Sequence, residues 1–458
     1  MPSVSSLLTR RTEPHKCDQA SIAAGSSYAG RPPSPLRKPP TEGFQRYDSS
    51  WTVEEEMFPW YSGKSWYPVR VGDLFKERYQ VIGKLFFGSV STVWLCRDLI
   101  GHKYVTLKVY VQKHRQARQE PKMLAYLESV VSNHPGKKAI RLPCDTFEAE
   151  RKDIRGQRHQ CLIFEPLAMT LKELCEFSGG QVKPEVLKPV VRSILEALDF
   201  LHTEAGVVHT DIQGGNILFR PKDATVFEEF EKDQWEHPPG RKIDSLWLRW
   251  LKWLFSRGER VLFDSRDVPQ DAENLDSPVL GDFGDAVMGG DTYAAHVMPD
   301  LYRAPEMIIG IRWDEKIDIW GLAMTIWDAI EGRCLFQDTT PGRFESNDEH
   351  LAMTIALLGP PEKEFAQMGA SYEKYFDEEG NWKLDMKIPE TSLEAEEQVL
   401  EGDERDQFLA FMRRILQWDS DDRPSAKELL DDPWLSTERA STSERAALEG
   451  EHRPDGGE

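Results

Sequence analysis

The chain has 458 residues with 57 Lys and Arg against 78 Asp and Glu, a formal net charge of −21, and 40% hydrophobic residues. That length suffices for a large buried core, and that hydrophobic content excludes a wholly disordered chain. The acidity excludes a general nucleic-acid binder, which needs a basic excess to displace counterions from phosphate, and it suits basic partners. Cys17, Cys96, Cys144, Cys161, Cys175 and Cys334 form no Cys-x-x-Cys pair, so free thiols in a reducing compartment are expected rather than a disulfide framework. No apolar run reaches the roughly 20 residues of a spanning helix, and the start lacks a signal-peptide core, so the protein is expected to be soluble and intracellular.

Residues 1–47 hold seven Lys or Arg against three acids, and their stretch Arg31–Pro40 (RPPSPLRKPP) is expected to be extended and mobile. A disordered tail is preferred there over a transit peptide, and 437–458 is expected to fray as a second tail. The stretch between the tails carries −22. Residues 48–78 form an N-terminal extension. From Tyr79 to about Glu165, short β-branched and aromatic runs (YQVIGKL, STVWLCRD, KYVTLKVYV) read as strands, interrupted by one helix over His114–Ser132. After Leu167 the period turns helical: Leu187, Val190, Val191, Ile194, Leu195, Leu198 and Leu201 share one face, with Pro184 in the first turn. Ile317–Ile330 and Asp406–Gln417 read as further buried helices. The expected class is α+β, a small β-rich lobe over 79–167 followed by a large helical lobe over 168–436. An insertion at about 221–277 sits within the second lobe. Its run Leu246–Phe255 (LWLRWLKWLF) puts Trp247, Trp250, Leu251 and Leu254 on one helical face; packing on the large lobe or a partner is preferred over a membrane surface.

His209-Thr-Asp211-Ile-Gln213-Gly-Gly-Asn216 follows the long helix and precedes an apolar run. An Asp and an Asn five apart on one loop can aim a carboxylate at a hydroxyl and an amide oxygen at a metal. Val279-Leu-Gly-Asp282-Phe-Gly284 sets another Asp after an apolar strand, Ala304-Pro-Glu306 follows, and Lys108 lies inside the apolar strand Val105–Val109. A lysine in a central strand is costly unless paired.

These pieces, in this order, resemble the eukaryotic protein kinase family over roughly Tyr79–Leu435. Within it the chain is most similar to the SR-protein-specific kinases of fungal type, through Tyr67-Pro-Val-Arg-Val-Gly-Asp, Ser91-Thr-Val-Trp-Leu, Phe164-Glu-Pro-Leu167, His209-Thr-Asp211, Tyr302-Arg-Ala-Pro-Glu306 and Asp318-Ile-Trp-Gly321. The resemblance implies a two-lobed fold and the cofactors ATP and Mg²⁺. It makes Asp211 the catalytic base, with Lys108 and Gln213 as further catalytic residues, and Asn216 and Asp282 the metal ligands. Leu85, Gly88, Val93, Lys108, Glu120, Glu165 and Leu167 would bind the nucleotide, Glu120 holding Lys108. Glu306 would pair with Arg423. The implied partners are Arg/Ser-rich protein substrates, with no direct nucleic-acid binding and a monomeric state, in cytoplasm and nucleus and linked to mRNA splicing.

Three departures raise an alternative, a catalytically weak scaffold of the same fold. Phe86 stands where the family has its first loop glycine, which costs backbone freedom near the phosphates. Gln213 stands where most kinases have a Lys, so a positive charge is missing. Pro121 directly follows Glu120 and limits where its helix can begin, which bears on whether Glu120 reaches Lys108. Thr210 replaces an arginine that many kinases use to hold a phosphorylated loop, and only Thr292 and Tyr293 could accept a phosphate between Asp282 and Glu306; no activating phosphate is expected.

Overall fold

The short β-branched and aromatic runs form one six-stranded antiparallel sheet, in the order Leu74–Phe75, Tyr79–Phe87, Ser91–Asp98, Lys103–Tyr110, Arg158–Phe164, Asp145–Glu150. The computed structural model describes residues 31–244, 260–269, 272–289, 297–336 and 346–436. These divide into a β-rich unit of Met1–Ser129, Arg141–Met169 and Phe219–Asp276, and a second unit of Val130–Ile140, Thr170–Leu218 and Ser277–Glu458.

Side chains in the sheet alternate in facing with period two. Val81, Trp94, Cys96, Val105, Leu107 and Val109 join one buried cluster, whereas their neighbours Ile82 and Leu95 join another with Val226, Phe227, Phe230 and Val268. Fully burying each such side chain contributes roughly 1.5–3 kcal/mol. The second cluster corrects the sequence reading of domains. Its helix Thr225–Glu236 belongs to the insertion, so the insertion groups with the β-rich unit and not with the helical lobe. Gly83 permits that packing, because a Cβ there would lie 2.9 Å from both Phe230 and Gln234.

The N-terminal segment also departs from expectation. Arg31–Pro40 has no regular structure, yet it is tied down: Ser34 N donates to Leu99 O at 2.8 Å, Arg37 N to Gln80 Oε1 at 3.0 Å and Trp235 Nε1 to Lys38 O at 2.9 Å. Arg37 also pairs with the buried Glu231 at 3.0 Å. Arg46–Tyr47 then adds a parallel strand to the hairpin of Arg241–Asp244 and Arg260–Phe263. The tail expected over 1–47 is therefore ordered from residue 31. Cys96, Cys161, Cys175 and Cys334 keep their thiols. The tryptophan run 246–255, the segments 1–30 and 437–458, and Thr292 and Tyr293 lie outside the described residues. Among the described residues no helix is long and apolar enough to cross a membrane.

In the second unit the helix Pro184–Asp199 buries the apolar face expected of it, including Leu187, Val191, Ile194 and Leu198. Helix Lys316–Glu331 is buried almost all round, as an apolar helix without a polar face must be. The third expected helix runs over Gly402–Ile415. His350, on helix Asn347–Leu358, stacks on Phe336 with centroids 4.0 Å apart. Burial, reinforced by the charge of Arg303, pushes its imidazole down to about 3. The unfolded chain takes that proton near pH 6.5, so the contribution is complete above that value and is lost as pH falls toward 3. His350→Phe is expected to remove about 2 kcal/mol of the stability lost between pH 7 and pH 5, measured by urea unfolding at both values. An unchanged acid limb would overturn this.

Candidate active site

The helix Pro184–Asp199 continues into a π turn, Phe200–Ala205, which Gly206 ends at φ +59°, and the chain then enters the loop His209–Asn216. One buried carboxylate anchors this loop. Asp318, from the apolar helix Lys316–Glu331, accepts from His209 N at 2.8 Å, Thr210 N at 2.7 Å and His202 Nε2 at 2.9 Å. His209 Nε2 lies 3.0 Å from Gly281 O, and its ring meets Phe283 edge-on at 4.8 Å, which joins the loop to the Asp282–Gly284 turn. Thr210 has φ +72° and Asp282 φ +58°, conformations that cost non-glycine residues about 1–3 kcal/mol each. The network around Thr210, whose Oγ1 donates to Asp285 O at 3.1 Å, holds it there.

Asp211 is the focus of the loop. Gln213 Nε2 donates to Asp211 Oδ1 at 2.7 Å, and Asn216 Nδ2 donates to Asp211 O at 2.9 Å and Oδ2 at 2.7 Å. Burial raises the Asp211 carboxyl above its ordinary value and nearby Asp282 adds to this; His209 and the amides of Asn216 and Gln213 oppose it. The carboxylate is thus oriented by two neutral amides. Gln213 places a neutral donor at the position where the resemblance implies a lysine.

Because a carboxylate and a carbonyl only accept, Asn216 must turn its NH₂ to Asp211, which leaves its Oδ1 to face elsewhere. Hard oxygen donors of this kind suit Mg²⁺, which takes one or two protein ligands and fills the rest of its shell with phosphate and water. Among the described residues no three His, Cys, Asp or Glu side chains gather as a metal cluster. Asn216 and Asp282 would hold the ion, and it would supply neutralisation of phosphate charge.

The nucleotide-binding candidates lie in the β-rich unit. Lys108 pairs across the sheet with Val93 on one side and Leu162 on the other. Its Nζ lies 2.9 Å from Glu120 Oε2, and Glu120, itself buried, also accepts from Tyr110 OH. The helix expected over His114–Ser132 runs over Arg115–Ser129, so Glu120 lies well inside it and Pro121 is accommodated there. The burial of Ala117, Met123, Leu124 and Leu127 outweighs the backbone bond Pro121 cannot make. Leu85 is partly buried against the Ile82–Phe230 cluster. Gly88 N donates to Ser91 O at 2.9 Å and closes the turn after Phe87, while Phe86 points outward, 59% exposed. After the strand Arg158–Phe164, Glu165 is exposed and Leu167 buried; Arg141 Nη2 donates to Glu165 O at 3.4 Å. Sequence reasoning gave no role to Asp318 or Tyr110. A charged residue in an otherwise apolar helix was the available signal for Asp318.

A protein kinase domain profile matches residues 79–227 and 268–435, and the gap between the two parts falls within the insertion. A serine/threonine protein kinase of Aspergillus fumigatus is 38% identical over 415 residues, covering 90% of this chain and 98% of the relative. A serine/threonine-protein kinase SRPK of Physarum polycephalum is 27% identical over 84% of this chain and 92% of its own length. The SRSF protein kinase 3 of Mus musculus is 24% identical over 82% and 89%. A crystal structure of a kinase domain superposes with a TM-score of 0.60 at 22% identity, over 82% of this chain and all of that one, and supports the two-lobed α+β fold. The profile match and the loop built around Asp211 agree, and the chain belongs to the protein kinase family, with an SRPK-like sequence.

Proposed function

We propose that the protein is an active serine/threonine kinase that transfers the γ-phosphate of ATP to Ser or Thr of basic, Arg/Ser-rich proteins, as a monomer in cytoplasm and nucleus with a link to mRNA splicing. The observation that carries activity over the scaffold reading is the Lys108–Glu120 pair at 2.9 Å, a buried charge pair that a mere binding fold has no need to keep. Phe86, the strongest argument for a scaffold, leaves most of its side chain in solvent. The substrate class is supported by the charge of −22 between the tails, which raises encounter rates with cationic chains, and by relatives named SRPK.

In this reading Asp211 orients and accepts the proton of the substrate hydroxyl, Lys108 holds the α- and β-phosphates, and Gln213 donates to Asp211. Leu85, Gly88 and Val93 cover the nucleotide, and the backbone of Glu165 and Leu167 bonds the adenine. The test is transfer of labelled phosphate from Mg·ATP to an Arg/Ser repeat peptide beside a neutral Ser peptide. Labelling of the basic peptide alone is expected. Equal labelling of both would remove the substrate class, and absence of labelling would leave the scaffold.

A further inference from the structure

The segment before the first long strand carries three successive glutamates, two of them directed to Lys84 and the third to Lys242. Glu54 accepts from Ser265 N at 2.6 Å and Ser265 Oγ at 2.8 Å, and it lies 2.9 Å from Lys84 Nζ. Glu55, buried, also pairs with Lys84. Glu56 pairs with Lys242 at 2.8 Å. Lys84 sits on the strand that leads into the phosphate loop, its side chain wholly buried; Nζ also donates to Phe263 O at 3.2 Å and lies 5.2 Å from the centroid of the Phe87 ring. The extension is thus fastened to that strand and to the insertion before it reaches the loop.

Next come the aromatic residues. Phe58 meets Phe87 edge-on at 6.0 Å and stacks with Trp60 at 5.2 Å and with the buried Trp66 at 6.4 Å. Phe86 points to solvent and Phe87 toward Phe58, aided by the bulge between Lys84 and Phe86. Trp60 Nε1 donates to Ser89 O at 3.4 Å, at the tip of the loop. Peptide planarity sets the N–H of Val90 opposite to that carbonyl, so a bond to Ser89 O also aims the Val90 amide. Backbone amides of such a loop are the groups that cradle phosphate.

We infer that Phe58 and Trp60 are positioning residues for nucleotide binding: the extension Val53–Trp66 braces the loop Phe86–Val90, a restraint supplied from outside the residues the kinase profile matches. This rests on the nucleotide-binding reading above. It accounts for a 63% exposed tryptophan and for the outward Phe86 with one arrangement.

The test uses the full chain and its Trp60→Ala, Trp60→Phe and Phe58→Ala variants, with Met57→Ala, another exposed residue of the extension, as control. The readouts are the Kd for Mg·ATP, the KM for ATP against kcat, and the thermal midpoint. Trp60→Ala and Phe58→Ala are expected to raise Kd and KM about three- to tenfold with kcat within about twofold, as loss of one hydrogen bond and one ring contact implies. Trp60→Phe keeps the stacking and is expected to fall between. Met57→Ala should match the parent. Unchanged Kd in both alanine variants would overturn the brace, as would a common fall in kcat, affinity and thermal midpoint, which marks a merely structural role. If the parent binds Mg·ATP yet labels no peptide, the transfer reading fails while the Kd comparison still decides the brace. A parent that binds no Mg·ATP would end both.

Discussion

Asp211→Asn is expected to lower kcat for phosphate transfer by about 10²–10⁴-fold, the usual range for removing a general base, while the Kd for Mg·ATP moves little. The reason is local. The two Asp211 oxygens accept from Gln213 Nε2 and Asn216 Nδ2 at 2.7 Å each, so an amide at this position has to set its own NH₂ against one of those donors. The variant thus loses both the base and the orientation of its neighbours. Transfer to an Arg/Ser peptide and ATP binding, measured on the same preparation, check it. Activity equal to the parent would remove Asp211 from the role assigned to it.

Arg423→Met is expected to destabilise the second unit by about 3–5 kcal/mol, because it leaves the carboxylate of Glu306 buried without its partner. The pair is bidentate, with Nη1 to Oε1 at 2.7 Å and Nη2 to Oε2 at 2.6 Å, and both side chains are fully buried. Arg423 also donates to Gln417 O and lies over the Trp320 ring at 4.9 Å, so its removal frees an acceptor and a ring face as well. A fall of roughly 10 °C in thermal midpoint follows for a unit of this size. The double variant Glu306→Leu/Arg423→Met is expected to recover more than half of the loss, since a buried pair replaced by apolar groups is often near neutral. Urea unfolding of the parent, both single variants and the double variant checks this as a cycle. Single losses below about 1 kcal/mol would show that the pair is not a structural lock.

How far each part of the site could be read in advance follows the separation of its members along the chain. His209, Asp211, Gln213 and Asn216 lie on one short loop, so their convergence was visible as spacing. The Lys108–Glu120 pair was legible as a costly lysine in a strand, and the helix that carries Glu120 as one stretch along the chain. The helix expected over His114–Ser132 runs over Arg115–Ser129, where the burial of Ala117 and Leu124 offsets the backbone bond Pro121 cannot make. Asp318 gave a weak sign, a charge in an apolar helix, whereas its three donors come from residues more than a hundred positions away.

The sequence by itself determined the α+β class, the strands and helices and the loop around Asp211. Periodicity of two or 3.6 and contiguous motifs are local properties that need no partner to be defined. Only the tertiary structure decided where the ambiguous faces go. The insertion helix Thr225–Glu236 lies on Ile82 and Leu95 of the sheet, Arg31–Pro40 is pinned by Gln80, Leu99 and Trp235, and Glu54 and Glu55 enclose Lys84. An apolar stripe or a run of glutamates states that a partner is needed but not which one. That choice is made by the summed packing and charge of segments far apart in the chain.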